Sequence, residues 1–156
     1  MIASILIWLL QDCLQVAAMG IMLVPELFLL VVIYKTLTWR TDQKNVVFWI
    51  WFALTGGVLW DLRWTTFAGL SGLINVSAVA AAYWIWQRTP IAGRNPLLFA
   101  LLAGGAHFLS GIAHYFAWSV PSQAALMLFA IQQLVTVPFL VLLCVIYSLK
   151  APKLDA

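Results

Sequence analysis

Charged residues are scarce in this chain. Asp, Glu, Lys and Arg make up 8% of its 156 residues, about a third of the ~25% that is typical of a soluble domain. Hydrophobic residues make up 65% and the mean hydropathy is +1.02, and one soluble core could not cover so much apolar surface. The composition excludes an ordinary soluble enzyme, a disordered tail and a secreted disulfide-rich scaffold. It predicts an integral membrane protein with almost nothing outside the bilayer.

Cysteines and catalytic motifs are also scarce. The two cysteines, Cys13 and Cys144, fall within apolar stretches and are interpreted as small buried hydrophobic residues. The sequence contains no phosphate-binding loop, zinc-binding spacing, nucleophile elbow or paired-carboxylate pattern. Its first residues lack the basic region of a secretory signal, so no cleaved signal peptide is expected. We therefore predict a protein that is not an enzyme and that binds no cofactor or metal.

What the sequence has in abundance is long apolar segments. They are continuous, without the two-residue alternation of a membrane barrel, and helices satisfy their own backbone hydrogen bonds in lipid. At ~20 residues a span, six spans leave only short loops. We predict an all-α integral membrane protein, a single domain over residues 1–156 that forms a compact bundle of six transmembrane helices. The segments are 2–22, 24–39, 46–62, 67–87, 96–118 and 123–149.

Positive charge is distributed unevenly between the two sides that these spans define. If the N-terminus is inside, one side holds seven of the eight Lys and Arg residues and the other holds only Arg63. Such a bias marks the cytoplasmic side of a membrane protein. We therefore predict cytoplasmic N- and C-termini, and we attribute the net charge of +3 to orientation in the lipid bilayer rather than to nucleic-acid binding. The seven cations are Lys35, Arg40, Lys44, Arg88, Arg94, Lys150 and Lys153.

Asp12 is the ionisable residue that lies deepest in a predicted span, with Gln11 and Gln15 beside it. A carboxylate there costs ~2.5–3.5 kcal/mol on insertion scales, so it must be protonated, paired or in a wet groove. Two interpretations stay open. One is a polar contact to a partner helix or ligand, and the other is an internal hydrogen bond to another span, for example to Gln132 or Gln133.

Three further charged residues fall at the outer side. Glu26 follows Pro25, which is expected in the first turn of the second helix, where the helix dipole favours an anion. Asp61 lies near the C-terminal end of the third helix, where the dipole disfavours an anion, and Arg63 is its nearest cation in sequence. We predict a small ionic cluster of Glu26, Asp61 and Arg63.

Histidines and glycines are expected to serve helix packing. His107 and His114 are seven residues apart and share one face of the fifth helix. That separation is too long for both to bind one metal, so interhelical hydrogen bonds are predicted, with a proton relay or a metal site as the alternative. Glycines let membrane helices approach closely, and the candidates are Gly56, Gly57, Gly69, Gly72, Gly104, Gly105 and Gly111.

A set of short motifs in the first half of the chain resembles the rod shape-determining protein MreD family. Gln11 is followed by Val-Pro-Glu-Leu at residues 24–27, by Gly-Val-Leu-Trp-Asp-Leu at 57–62 and by Phe-Ala-Gly-Leu at 67–70. The family has a Pro-Asp-Leu at the start of the second helix, a glycine-containing motif that ends in Asp-Leu in the third, and a Leu-Gly element at the fourth. Glu26 stands where the family usually has Asp, and Ala53 stands where an earlier glycine is expected.

The resemblance implies a non-enzymatic component of the bacterial rod (elongation) complex in the cytoplasmic (inner) membrane. Members of the family bind the single-span protein MreC, and they link MreB indirectly with the polymerase RodA and a penicillin-binding transpeptidase. Cell-shape maintenance and peptidoglycan synthesis depend on this scaffold. The matching positions are Pro25, Glu26, Gly57, Asp61 and Gly69, whose implied role is in helix packing and a polar pocket.

A second hypothesis is the substrate-binding component of an energy-coupling-factor vitamin transporter. Those proteins also have six spans and a similar size, some of them carry a comparable glycine–Asp element, and the predicted bundle resembles their fold. They need a ligand pocket at the outer face. A proton or ion channel built on Asp12, His107 and His114 is a third hypothesis.

Overall fold

The computed structural model describes residues 2–18, 24–38, 43–64, 68–118 and 122–150. Within these ranges the regular structure is entirely helical, which confirms the predicted all-α class. The α-helices are α1 (Ile2–Ala17), α2 (Leu27–Thr38), α3 (Gln43–Trp64), α4 (Leu70–Arg88), α5 (Pro96–Trp118) and α6 (Gln123–Lys150), and a short 3-10 helix covers Ile91–Gly93.

Capping side chains define where α5 and α6 begin. Pro96 occupies the first position of α5, where its fixed φ and missing N–H are harmless, and the Oδ1 atom of Asn95 accepts the N–H of Leu98 at 2.8 Å. At α6, the hydroxyl of Ser122 accepts the N–H of Ala125 at 3.1 Å. These side chains satisfy backbone donors that have no partner within the first helical turn.

The start of α2 differs from the prediction. The helix begins at Leu27, so Pro25 precedes it rather than lying in its first turn. The carbonyl of Pro25 accepts the N–H of Leu27 at 2.8 Å, and the carbonyl of Glu26 accepts the N–H of Leu30 at 3.2 Å. Because the helical hydrogen bonds begin at Glu26, its carboxylate lies at the helix entrance, where the dipole favours an anion.

The helix α2 is the centre of the bundle and packs against all five other α-helices. Nine of its 12 residues are buried, as expected for a helix that is apolar on every side. The core continues through aromatic contacts, because the ring of Tyr34 meets that of Phe99 edge-on at 5.9 Å and Phe99 stacks on Tyr147 at 5.1 Å. This core ties α2 to α5 and α6.

Glycines bring α3 and α4 into close contact. A Cβ atom on Gly57 would lie 2.4 Å from the backbone nitrogen of Gly72, and a Cβ atom on Gly72 would lie 2.8 Å from the carbonyl oxygen of Leu54. Only residues without a side chain allow this approach. It is the packing mode that membrane helices use where apolar burial supplies little driving force.

The outer surface of the bundle is apolar, and large hydrophobic side chains such as Leu6 on α1 and Leu109 on α5 are exposed. Three helical segments, Asn45–Trp64, Pro96–Phe116 and Gln123–Lys150, are long and apolar enough to cross a membrane. The helices α1 and α2 are apolar but have 16 and 12 residues, and α2 rises only about 18 Å at 1.5 Å per residue. The structure thus indicates a helical membrane protein in which three of the described helices are both long and apolar enough to cross a membrane.

Candidate functional site

A cavity of about 710 Å³ lies at the end of the bundle where α3 and α5 end and α4 and α6 begin. Its volume falls within the ~300–1,000 Å³ that is typical of small-molecule sites. Its wall combines carboxamide, carboxylate and imidazole groups with six aromatic side chains. These are Trp8, Phe28, Trp60, Trp64, Tyr115 and Phe129.

Glu26 and His114 form one polar contact in the cavity wall. The Oε1 atom of Glu26 lies 2.8 Å from Nδ1 of His114, and its Oε2 atom accepts the hydroxyl of Ser110 at 2.8 Å. On the far side of the imidazole, Nε2 of His114 lies 2.9 Å from the hydroxyl oxygen of Ser71. A carboxylate from the entrance of α2 is thereby connected through α5 to α4.

His107 lies on α5 two helical turns before His114 and forms a second hydrogen-bond network between helices. Its Nε2 atom accepts the backbone N–H of Glu26 at 3.3 Å, which places the proton of a neutral ring on Nδ1. That proton is donated to Oε1 of Gln133 at 3.2 Å. Thr136 lies 3.3 Å from the same Nε2 atom. Both histidines therefore join α5 to neighbouring elements, as the sequence predicts.

Asp12 is paired with the end of α3. Its Oδ2 atom lies 3.0 Å from Nη1 of Arg63, and its Oδ1 atom accepts the indole N–H of Trp64 at 2.9 Å. The suggested partners Gln132 and Gln133 bond other groups, since Nε2 of Gln132 donates to the carbonyl of Val24 and Oε1 of Gln133 accepts from His107. Of the two interpretations left open for Asp12, the structure shows an internal contact, made with a cation and an indole of α3 rather than with a carboxamide of α6.

Asp61 holds the beginning of α4. Its Oδ2 atom accepts the backbone N–H groups of Gly69 and Ser71, each at 2.8 Å. Gly69 has a φ of +99°, a left-handed conformation that glycine adopts without strain. Two donors at the start of α4 favour the anion there, which explains why a carboxylate is stable at the end of α3.

The three residues of the predicted cluster therefore do not pair with one another. Arg63 pairs with Asp12 rather than with Asp61, Glu26 pairs with His114, and Asp61 binds backbone groups of α4. All three residues lie at the same end of the bundle, and Ser71 connects Asp61 with the Glu26–His114 pair, because its N–H binds Asp61 and its hydroxyl lies 2.9 Å from Nε2 of His114. Gln15, which also lies on α1, accepts the backbone N–H of Val24 at 3.2 Å through its Oε1 atom.

Asn75 is buried in the cavity wall without a hydrogen-bond partner for its carbonyl. Asn75 is 6% exposed. Its Oδ1 atom accepts no hydrogen bond within the part of the chain that the structure describes. An unpaired buried acceptor costs ~1–3 kcal/mol. Asn75 follows Ser71 by one helical turn, so both face the cavity.

Two buried glutamines in the same wall have one end of the carboxamide engaged. The Oε1 atom of Gln11 accepts the N–H of Phe28 at 2.8 Å, and the Nε2 atom of Gln132 donates to the carbonyl of Val24 at 3.0 Å. These bonds fix both carboxamides. No described residue bonds the Nε2 atom of Gln11 or the Oε1 atom of Gln132, so a donor and an acceptor are left for the cavity.

Sequence reasoning did not single out Ser71, Asn75 or Ser110. Their signal was nevertheless present, because polar residues inside apolar helices are expensive and usually have a partner or a function. Ser71 and Asn75 are one turn apart on α4, and Ser110 lies one turn before His114 on α5. The spacing identifies the faces of these two helices, but only the fold shows that the faces meet.

A metal centre has no support in the described ranges, where no three His, Cys, Asp or Glu side chains are grouped closely enough to hold an ion. Comparisons with protein-family models, curated proteins and solved structures find no match to the chain.

Proposed function

We propose that the chain is an MreD-family protein, a non-enzymatic component of the bacterial rod complex that binds MreC within the membrane. The observation that supports this proposal is that the motif residues meet at the junction of α3 and α4. Asp61 binds the N–H of Gly69, and Gly57 lies against the backbone of α4. The spacing of the motif is therefore one that this helix pair requires, as a family signature should be.

We further infer that six helices cross the bacterial cytoplasmic membrane, with both termini in the cytoplasm, in a bundle similar to that of energy-coupling-factor substrate-binding components. Basic residues support this orientation. Lys35, Arg88 and Lys150 lie in the last turns of α2, α4 and α6, whereas Arg63 lies in the last turn of α3. Cations at the ends of the even-numbered helices follow the positive-inside rule.

The experiment that tests the proposal is co-purification from native membranes. The tagged chain, extracted in lipid nanodiscs, should retain MreC, and its depletion should convert rod-shaped cells into round ones. MreC whose single span is exchanged for an unrelated apolar span is the control, and it should not be retained. Absence of MreC from the purified complex, together with normal rod shape of cells that are depleted of the chain, would refute the proposal.

The cavity favours a second candidate function, the substrate-binding component of an energy-coupling-factor transporter. Such a component needs a pocket at its outer face, and the cavity of about 710 Å³ lies at the Arg63 end of the bundle. This candidate predicts that the chain is isolated with the other components of such a transporter instead of with MreC. The same nanodisc preparation, analysed by mass spectrometry, distinguishes the two candidates.

A further inference from the structure

We propose that the Glu26–His114 pair is a pH-sensitive junction, which ties α2, α4 and α5 together at the cavity end of the bundle while His114 is protonated and loosens that end when the ring is neutral. The inference goes beyond both candidate functions and depends on neither. Its test measures the folded chain alone, so its failure is distinguishable from a failure to bind MreC or the components of a transporter.

His114, on α5, lies between two carboxylates. Its Nδ1 atom is 2.8 Å from Oε1 of Glu26 at the entrance of α2, and its Nε2 atom is 2.9 Å from the hydroxyl oxygen of Ser71 on α4. The backbone N–H of Ser71 binds Oδ2 of Asp61 at the end of α3. A protonated ring is therefore attracted to the Glu26 carboxylate directly and to the Asp61 carboxylate at longer range.

Ser71 allows the ring to gain or lose a proton without losing a hydrogen bond. A hydroxyl can donate or accept, so it accepts from Nε2 of a protonated ring and donates to Nε2 of a neutral one. The proton on Nδ1 remains directed at Glu26 in both states. The change is therefore in charge, because with a neutral ring the described partners of the Glu26 carboxylate, His114 and Ser110, are both uncharged.

Burial makes this pair sensitive to the loss of charge. The side chains of His114 and Glu26 are 21% and 16% exposed, whereas Arg63, in the neighbouring pair with Asp12, is 53% exposed. Water screens the Arg63 pair more strongly, and a carboxylate that loses its counter-charge in a mostly buried place destabilises the fold more than one at the surface.

Histidine ordinarily changes charge between about pH 6 and pH 8.5, whereas carboxylates and guanidinium groups keep their charges. His107 is the second histidine of this region, and its Nε2 atom accepts the N–H of Glu26, so its ring is neutral in the fold. The titratable or charged groups among the described residues that line the cavity or contact its wall are Asp12 of α1, Glu26, Asp61 and Arg63 of α3, and His107, His114 and Tyr115 of α5, while α4 and α6 contribute the neutral side chains of Ser71 and Gln132.

A double-mutant cycle at two pH values tests the proposal. Melting temperatures in nanodiscs are measured at about pH 6 and about pH 8.5 for the unaltered chain, Glu26→Gln, His114→Gln and the double variant, all of which retain His107. The stabilisation from a histidine that gains a carboxylate partner on folding is full below the ordinary histidine pKa of about 6.5 and is lost as the pH rises. The coupling in Tm between the two positions should therefore be about 3 °C or more at the lower pH and should fall by at least half at the higher pH.

The pair of Asp12 and Arg63 is the matched control, because it lies at the same end of the bundle and consists of a carboxylate and a guanidinium group. The cycle of Asp12→Asn, Arg63→Gln and their double variant should give the same coupling at both pH values.

Hydrogen exchange of the unaltered chain keeps the test independent of how well the variants fold. After correction for the intrinsic pH dependence of exchange, the amides of residues 28–31, in the first turn of α2, should exchange about tenfold faster at the higher pH than at the lower. The amides of residues 82–88, at the opposite end of the bundle, should show no such change.

Three outcomes would overturn the proposal. The first is a coupling between Glu26 and His114 that is equal at both pH values. The second is a pH dependence of the same size in the Asp12–Arg63 cycle, because it would assign the effect to the whole bundle. The third is unchanged corrected exchange at residues 28–31.

Discussion

At the scale of single residues, Asn75 carries a cost in stability. Its carbonyl is buried with no hydrogen-bond partner in the described ranges, and an unpaired buried acceptor costs ~1–3 kcal/mol. Asn75→Leu should therefore raise the free energy of unfolding of the protein by about 1 kcal/mol. Denaturant or thermal unfolding in detergent measures this, with Ser77→Leu, on the exposed surface of the same helix, as the control. A less stable Asn75→Leu protein would show that the carboxamide is structural.

Ser110 differs from Asn75 because it is a buried polar residue whose hydroxyl has a hydrogen-bond partner, the Glu26 carboxylate. Its hydroxyl donates to the Glu26 carboxylate at 2.8 Å, and Ser110 is 1% exposed. Ser110→Ala should lower the free energy of unfolding by about 1.5–3 kcal/mol, the range for hydrogen bonds to charged groups.

The matched substitution is Ser148→Ala, because within the described ranges the hydroxyl of Ser148 donates only to the carbonyl of Cys144, at the exposed end of α6. We expect a change within about 0.5 kcal/mol there. Equal effects at the two serines would contradict a special role for the Glu26 contact.

At the scale of the helices, Asp61 fixes the junction of α3 and α4. Asp61→Ala removes the acceptor of two backbone donors at the start of α4, and the loss should be about 3 kcal/mol or more. Asp61→Asn keeps one acceptor oxygen and should lose roughly half as much. Folded yield and Tm measure both. A wild-type Tm for Asp61→Ala would show that the carboxylate is dispensable for the junction.

Alanine substitutions at Gly69 and Gly105 distinguish the effect of backbone conformation on stability from the effect of the space available for a side chain. Among the described residues, neither glycine has a neighbouring atom within 4 Å of an added Cβ, but Gly69 alone of the two has a positive φ. Gly69→Ala should therefore destabilise the protein by about 1–2 kcal/mol through the left-handed backbone, whereas Gly105→Ala, inside α5, should stabilise it by up to about 1 kcal/mol. Unfolding curves of the two variants provide the comparison. Similar effects of the same sign would contradict it.

The helices could be predicted from the sequence, whereas their polar partners could not. The predicted segment 96–118 coincides with α5 because Pro96 and the capping Asn95 mark its start. The partner of Asp12 was not predictable, since helical periodicity shows which residues share a face and not which other helix lies opposite. Arg63 is nearer to Asp61 in sequence, yet the fold gives it to Asp12 and gives Asp61 two backbone donors.

At the scale of the whole molecule, the bundle has two different ends. One end holds the cavity, Arg63 and three carboxylates that are each hydrogen-bonded or ion-paired. The other end holds Lys35, Arg88 and Lys150 in final helical turns. Charges of both signs, each with a partner, surround the cavity, and cations gather at the opposite end. This asymmetry should determine the orientation in the membrane, because cytoplasmic flanks retain Lys and Arg.

The orientation can be tested with single cysteines in a chain whose Cys13 and Cys144 are replaced by alanine. Gln123→Cys marks the start of α6 at the cavity end, and Ala92→Cys marks the 3-10 helix at the cationic end. Both positions are exposed. A membrane-impermeant maleimide should label Gln123→Cys in intact spheroplasts and should label Ala92→Cys only after the membrane is permeabilised. The reverse pattern would place the cavity on the cytoplasmic side, and labelling of both positions without permeabilisation would show that the bundle does not separate its two ends across the bilayer.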